Sequence, residues 1–167
     1  MKQIYIHGLG QNARSWDKVL EKLGNFEDCI CPNLPELVED GEMTYPNIYA
    51  SFSDMCDAVN DEIILCGISL GGVLALNYAI EHTDKVKELV LIAAQNKTPK
   101  QLLKFQNVLF CFMPKSMFSQ MGFKKNDFLK LCHTMMDLDF ANVVNKISCP
   151  TLIICGEKDS ANKKGFC

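Results

Sequence analysis

The chain has 167 residues, of which 48% are hydrophobic and 22% are charged, and its formal net charge is −3 at pH 7. A chain of this length is expected to form one domain with a buried core. Its slightly acidic balance gives no support for binding to nucleic acid or for adhesion to an anionic membrane. No stretch approaches the roughly 18 apolar residues of a membrane-spanning helix, and no signal peptide is recognisable. We therefore expect a cytoplasmic protein without stable membrane insertion.

Five short apolar runs are predicted to be strands, because strands covered on both faces read as unbroken apolar sequence. They span residues 2–7, 27–32, 62–66, 88–94 and 149–156.

Helical periodicity fills the intervals between these runs. The first predicted helix has Asn12 as its N-cap and Gly24 as its stop. Its apolar face is expected to consist of Trp16, Val19, Leu20 and Leu23. The second predicted helix carries Pro46 in its first turn, and its inner face is expected to consist of Ile48, Phe52, Met55, Cys56 and Val59. A third helix is predicted over 70–82.

The alternation of strands and helices predicts right-handed βαβ crossovers. We expect an α/β fold with a mostly parallel five-stranded sheet and helices on both faces. The chain is expected to form a single domain over 1–167, with a mostly helical cap insert at approximately 97–140. In such sheets, active residues lie at the carboxyl ends of strands. That rule points to the positions after Ile6, Cys66 and Cys155.

The pattern G-x-S-x-G follows the third strand as Gly67-Ile68-Ser69-Leu70-Gly71. A serine on a sharp strand-to-helix turn is forced into an unfavourable backbone conformation, and side chains two residues away on either side would collide. The turn lifts the serine Oγ clear of the sheet and places it at the N-terminus of a helix, where negative charge is favoured. This context predicts that Ser69 is a nucleophile. Gly72 would let the helix pack closely on its strand.

The sequence resembles the α/β-hydrolase superfamily, and in particular its small ester hydrolases. The resemblance runs from "YIHGLGQNARSWD" through "LCGISLGGVLALNYAIEHTDKVKELVLIAA" to "CPTLIICGEKD". It implies that the backbone N–H groups of Leu9 and Leu70 form the oxyanion hole. It also implies that an acid follows the fifth strand; in "GEKD" this is Asp159, with Glu157 as the weaker rival.

A serine nucleophile needs a base, and the resemblance places the histidine after a further helix and strand, beyond Cys167. We therefore hypothesise a truncated hydrolase core that lacks its C-terminal strand and helix. Of the three histidines present, His82 is expected to lie about 20 Å from Ser69 along a helix. His7 and His133 remain as substitute bases.

The cap insert is rich in Phe and Met: Phe105, Phe110, Phe112, Met113, Met117, Phe118, Met121, Phe123, Phe128, Met135, Met136 and Phe140. These residues are interpreted either as the wall of a hydrophobic substrate pocket or as ordinary helix packing. Seven lysines and a single acid, Asp127, lie between Lys97 and Lys130. They indicate either attraction of an anionic substrate, carrier protein or membrane surface, or simply a solvated face.

The nine cysteines are interpreted as reduced, buried and small hydrophobic residues, because there is no CxxC motif and no zinc spacing. No cofactor and no metal is expected. The expected function is hydrolysis of a small, apolar acyl ester, weak or absent in this chain because the histidine is missing. The alternatives are a binding module that self-associates through an exposed edge strand, and an unstable fragment.

Overall fold

The computed structural model describes residues 1–24, 26–38, 41–98 and 100–157, with only the backbone for 101, 102, 105 and 106. The predicted acid Asp159 lies outside the described residues. Five strands form one sheet in the order β2-β1-β3-β4-β5, and every pair in it is parallel. The strands are β1 (Lys2–Ile6), β2 (Cys29–Ile30), β3 (Ile63–Ile68), β4 (Val86–Ile92) and β5 (Thr151–Ile154). The predicted fold class is confirmed.

Seven helices connect or follow these strands in the described residues. They are α1 (Asp17–Leu23), α2 (Leu34–Leu37), α3 (Tyr45–Asp57), α4 (Leu70–Glu81), α5 (Lys100–Phe112), α6 (Lys115–Gln120) and α7 (Lys125–Thr134). Short 3₁₀ turns cover Ala13–Trp16 and Val144–Lys146. None of the helices in the described part of the chain combines the length and apolar character needed to cross a membrane.

Side chains of alternating strand residues pack into two apolar clusters on opposite faces of the sheet. The larger cluster contains Ile4, Ile6 and Leu65 together with buried side chains of α3 and α4. The smaller one joins Tyr5 and Cys66 to residues of α1 and the turn before it. Helices therefore cover both faces, as predicted.

Helix α4 lies at the centre of the larger cluster. All its residues from Leu70 to Ile80 are buried, which explains an apolar sequence without an amphipathic pattern. At its far end His82 stacks on Tyr78, with ring centroids 4.1 Å apart, and its Nδ1 lies 3.6 Å from Asp57 Oδ1. As expected, His82 is a whole helix away from Ser69.

The first helix differs from the prediction. Asn12 does cap the segment, because its side chain accepts a hydrogen bond from Arg14 N, but the segment begins as a 3₁₀ turn. Only two of the four expected inward residues, Trp16 and Leu20, are buried. Val19 and Leu23 are 40% and 54% exposed. The cluster beneath α1 is too small to cover a wider apolar face.

The cysteine interpretation holds only in part. Cys56, Cys66 and Cys132 are buried free thiols, and burial raises the pKa of Cys66 to about 11. Cys111 is free but exposed. Cys155 is disulfide-bonded, which contradicts a fully reduced set.

Candidate active site

Ser69 lies at the junction of β3 and α4, as the sequence predicts. Its backbone has φ 50° and ψ −113°, a conformation that a residue with a side chain rarely adopts. Its N–H donates to Ile92 O at 2.9 Å, and its own carbonyl accepts from Val73 N at 3.0 Å. The serine is exposed while the following Leu70 is buried. The strained turn thus projects a single hydroxyl from an otherwise buried junction.

Two glycines are required by the space around this turn. A Cβ on Gly67 would overlap the carbonyl of Gly71, and a Cβ on Gly71 would overlap the carbonyl of Ile6 in the neighbouring strand. Because both obstacles are backbone atoms, they cannot swing aside. Behind them, a Cβ on Gly72 would lie 2.6 Å from the Ala94 Cβ, so the helix does pack closely on the sheet.

The loop after β1 lies directly beside Ser69. Strands β1 and β3 are neighbours, with Ile6 opposite Gly67. A Cβ placed on Gly8 would be 3.3 Å from the Ser69 Cβ. Leu9 and Gly10 then line the same cavity as Ser69. The two segments expected to supply the oxyanion donors are therefore adjacent.

The direction of the Leu9 N–H follows from the hydrogen bonds of its own peptide unit. The Gly8 carbonyl, which belongs to that unit, accepts from His7 Nδ1 at 2.9 Å and from Gln11 N at 3.2 Å. In a trans peptide the N–H points opposite to the carbonyl. The Leu9 N–H therefore points away from His7 and Gln11.

Gln11 is a further anchor of this loop that the sequence analysis missed. Its Oε1 accepts from Gly8 N at 2.8 Å while its own N–H bonds to the Gly8 carbonyl. A polar residue three positions after the H-G pair was the available signal, since such spacing permits a local side-chain to backbone bond.

The second donor expected in the oxyanion hole lies at the start of α4. Leu70 is the first residue of that helix, where backbone N–H groups have no partner within the helix. Neither Leu9 N nor Leu70 N donates to a backbone carbonyl within the described ranges. Their role as donors to a developing negative charge stays a prediction.

A cavity of about 370 Å³ adjoins Ser69. Its lining side chains are mostly apolar, and six of them come from the cap: Leu103, Phe110, Met113, Met121, Phe128 and Met135. Five of these belong to the predicted Phe and Met set. Others of that set are placed differently, since Phe118 and Phe123 are buried behind the wall, whereas Phe112 and Met117 are exposed.

The geometry excludes His7 as a base for Ser69. Its ring is fully buried, with Nδ1 donating to the Gly8 carbonyl and Nε2 accepting from Leu34 N at 3.0 Å. Both nitrogens are thus occupied by backbone groups. Burial lowers the pKa of His7, so the ring is neutral, and it fixes the loop that carries Leu9.

His133 does not reach the site either. It lies near the end of α7, is exposed, and is not among the residues that line the cavity beside Ser69. All three histidines of the chain fall within the described residues, and none has a ring nitrogen available beside Ser69. Glu157, the weaker candidate acid, is exposed after β5. The role of Asp159 stays a prediction.

Comparison with known proteins assigns the family. The family model described as alpha/beta hydrolase fold matches residues 4–117, well over half of the chain. The chain therefore belongs to the α/β-hydrolase family.

Two curated relatives are named as a methyl ester esterase and a biotin-synthesis protein. The pimeloyl-[acyl-carrier protein] methyl ester esterase of Vibrio vulnificus is 27% identical over 94 residues, covering 56% of this chain and 37% of the relative. The biotin biosynthesis bifunctional protein BioHC of Teredinibacter turnerae is 26% identical over 94 residues, covering 54% of this chain and 16% of the relative. The chain thus spans little more than a third of the first relative and less of the second.

Solved structures share the fold over nearly the whole chain. A carboxylesterase from Nitrososphaera gargenis superposes with a TM-score of 0.75 at 16% identity, covering 98% of this chain and 74% of that one. A thermophilic esterase from Thermogutta terrifontis gives a TM-score of 0.71 at 17% identity, covering 97% and 73%.

Proposed function

We propose that Ser69 is the nucleophile of a serine hydrolase that acts on apolar acyl esters. The observation that carries this proposal is the exposed Ser69 hydroxyl on a strained turn, facing an apolar cavity of about 370 Å³. A cavity of this size and lining accommodates the acyl chain of a small ester. The family of hydrolases to which the chain belongs supports the same chemistry.

The proposed reaction starts with attack of Ser69 Oγ on the ester carbonyl carbon. The carbonyl oxygen gains negative charge and accepts hydrogen bonds from the N–H groups of Leu9 and Leu70. Collapse of this tetrahedral species expels the alcohol and leaves an acyl-serine, which water then hydrolyses. Loss of one oxyanion donor typically costs about 10²–10³ in turnover.

The proton of Ser69 needs an acceptor, and none of the histidines supplies one. Loss of the triad base can cost up to about 10⁶ in turnover, and the oxyanion hole with substrate binding retains about 10³–10⁴ over water. We therefore propose weak or undetectable hydrolysis by the polypeptide of 167 residues. Asp159 is the proposed acid that would orient a histidine supplied from outside this sequence.

The experiment measures hydrolysis of p-nitrophenyl butyrate with and without added imidazole, with Ser69→Ala as the matched control. Imidazole can enter a cavity and replace a missing base. The proposal predicts slow turnover by the unmodified chain and an imidazole-dependent gain that Ser69→Ala lacks. Rapid turnover without imidazole that depends on Ser69 would contradict the missing base. Identical rates for both proteins under all conditions would contradict the nucleophile.

One observation favours a second function as an interaction module. All four residues of β5 are exposed, and Leu152 and Ile153 are 56% and 39% exposed. Strand β5 pairs with β4 along one edge, and no other described strand pairs with its second edge. An exposed apolar edge is a template for strand pairing. Native mass spectrometry of the chain and of Ile153→Glu tests this: a dimer lost in the variant supports pairing, and a monomer in both contradicts it.

A further inference from the structure

One face of α5 carries large apolar side chains that the described part of the protein leaves exposed. Val108, Leu109 and Phe112 are 57%, 50% and 84% exposed. At 100° per residue these positions fall within an arc of about 100° on the helix. Phe112 is the most exposed large hydrophobic residue found in the described part of the chain.

The opposite face of the same helix packs toward the cavity beside Ser69. Leu103 and Phe110 line the cavity beside Ser69 and lie on the far side of the helix axis. A helix that packs on one side only normally presents polar residues to solvent on the other. The exposed apolar face of α5 is therefore not explained by the folding of the cap, and patches of this kind mark interaction surfaces.

Lysines predominate around this face, although Asp137 interacts with Lys104 and Asp127 lines the same surface depression as Lys115. Residues 97–126 contain six lysines and no aspartate or glutamate, although the whole chain is acidic. Lys104 is on the same side of α5 as Val108 and Phe112, and Lys115 opens α6 directly beyond it. Neither of these two lysines belongs to any ion pair found among the described residues, whereas Lys100 pairs with Asp137.

We propose that this cap face docks on an anionic lipid surface. The cap face consists of Lys104, Val108, Leu109, Phe112, Lys115 and Met117, which is itself 44% exposed. The apolar side chains enter the boundary between headgroups and acyl chains, and the lysine ammonium groups contact lipid phosphates. The contact is peripheral and requires no membrane-spanning segment.

A lipid surface fits the cap face better than an acidic protein does. Phe112 projects from the helix with 84% of its surface free, so it has no groove of its own around it. A stable protein interface buries about 800 Å² on each partner and is built around packed pockets. A few projecting apolar residues between lysines instead match an amphipathic helix that lies in a membrane interface.

The test measures co-sedimentation of the chain with two kinds of vesicle. One kind is phosphatidylcholine alone, and the other is an equal mixture of phosphatidylcholine and phosphatidylglycerol. The proposal predicts stronger binding to the mixed vesicles. It also predicts that Phe112→Ser and the double variant Lys104→Glu/Lys115→Glu each reduce that binding about tenfold. Because binding does not involve Ser69, Ser69→Ala should bind like the unmodified chain, so the result is independent of the proposed hydrolysis.

Phe26→Ser is the matched control, because Phe26 is 55% exposed but lies before β2, outside the cap. It should bind the mixed vesicles like the unmodified chain, and thermal unfolding verifies that all variants are folded. Equal reductions for Phe26→Ser and Phe112→Ser would overturn the assignment to this face. Equal binding to both vesicle types would overturn the role of the lysines. Binding to acyl carrier protein but to neither vesicle would overturn the lipid partner.

Discussion

The buried ring of His7 accepts a hydrogen bond from the backbone N–H of Leu34 at 3.0 Å, across 27 positions of sequence. The same ring donates to the Gly8 carbonyl at 2.9 Å. One neutral imidazole therefore connects the proposed oxyanion loop to the start of α2. His7, which the sequence analysis retained as a substitute base for Ser69, is therefore a structural residue.

The pH dependence of stability follows from this arrangement. Burial lowers the pKa of His7 below its ordinary value of 6.5. The unfolded chain therefore binds a proton more readily than the folded chain as the pH falls through 6.5. The contribution of His7 to the free energy of unfolding is complete above pH 6.5 and is lost as the pH falls toward the pKa of the folded state. The free energy of unfolding then changes by at most about 1.4 kcal/mol per pH unit.

Urea unfolding between pH 7.5 and about pH 5 measures this slope. We expect His7→Gln to lower stability at neutral pH and to flatten the dependence. The control is His133→Gln, which changes an exposed histidine and should leave the slope intact. A slope that persists in His7→Gln would contradict the role given to His7.

Gly71→Ala should be strongly destabilising. The new methyl group would overlap the Ile6 carbonyl in β1, and such overpacking against backbone typically costs about 1–3 kcal/mol or more. Gly24→Ala is the control, because it introduces backbone strain without steric overlap: Gly24 has φ 67°, and nothing lies within 4 Å of an added Cβ. It should cost only about 1 kcal/mol. If chemical denaturation gives equal losses of unfolding free energy for Gly71→Ala and Gly24→Ala, the packing argument is refuted.

Ser69 is expected to lower the stability of the protein that carries it. Its φ of 50° is strained for a residue with a Cβ and relaxed for glycine. Ser69→Gly should therefore be more stable than Ser69→Ala by about 1 kcal/mol, since both remove the hydroxyl and only one relieves the backbone. Melting temperatures of the two variants decide the matter. If alanine is the more stable replacement, the turn is not strained.

Phe128 is the centre of the aromatic packing in the cap. It meets Phe110 and Phe118 at 5.1 Å and Phe123 at 5.6 Å between ring centroids. Phe128→Ala should cost about 3–5 kcal/mol and enlarge the cavity beside Ser69. Phe112→Ala makes the same chemical change at an exposed site and should stay within about 0.5 kcal/mol of the unmodified chain. Similar losses for both would mean that the cap is not packed as described.

The parallel sheet and the sharp turn could be predicted from the sequence because both depend on local pattern. Unbroken apolar runs between helical segments predict buried parallel strands, and the spacing of Gly67, Ser69 and Gly71 predicts the turn. Glycine is required because an added Cβ would overlap backbone atoms a few residues away or in the neighbouring strand. Every turn of this kind has these contacts, so a short sequence motif is enough to predict it.

Features that depend on distant contacts were not predictable. The role of His7 is set by Leu34, which starts a helix that the sequence analysis did not identify. Val19 is exposed because few apolar side chains of the sheet lie beneath α1. In the cap, apolar residues occur on both faces of α5, so periodicity alone does not separate Phe110 in the cavity from Phe112 in solvent.

The most direct test treats the chain with a fluorophosphonate probe, with and without imidazole, and locates the adduct by peptide mass spectrometry. Our account predicts one adduct, on Ser69, which forms slowly and is accelerated by imidazole, because no histidine among the described residues presents a ring nitrogen to the Ser69 hydroxyl. An adduct on a different serine, or no adduct even with imidazole present, would contradict it.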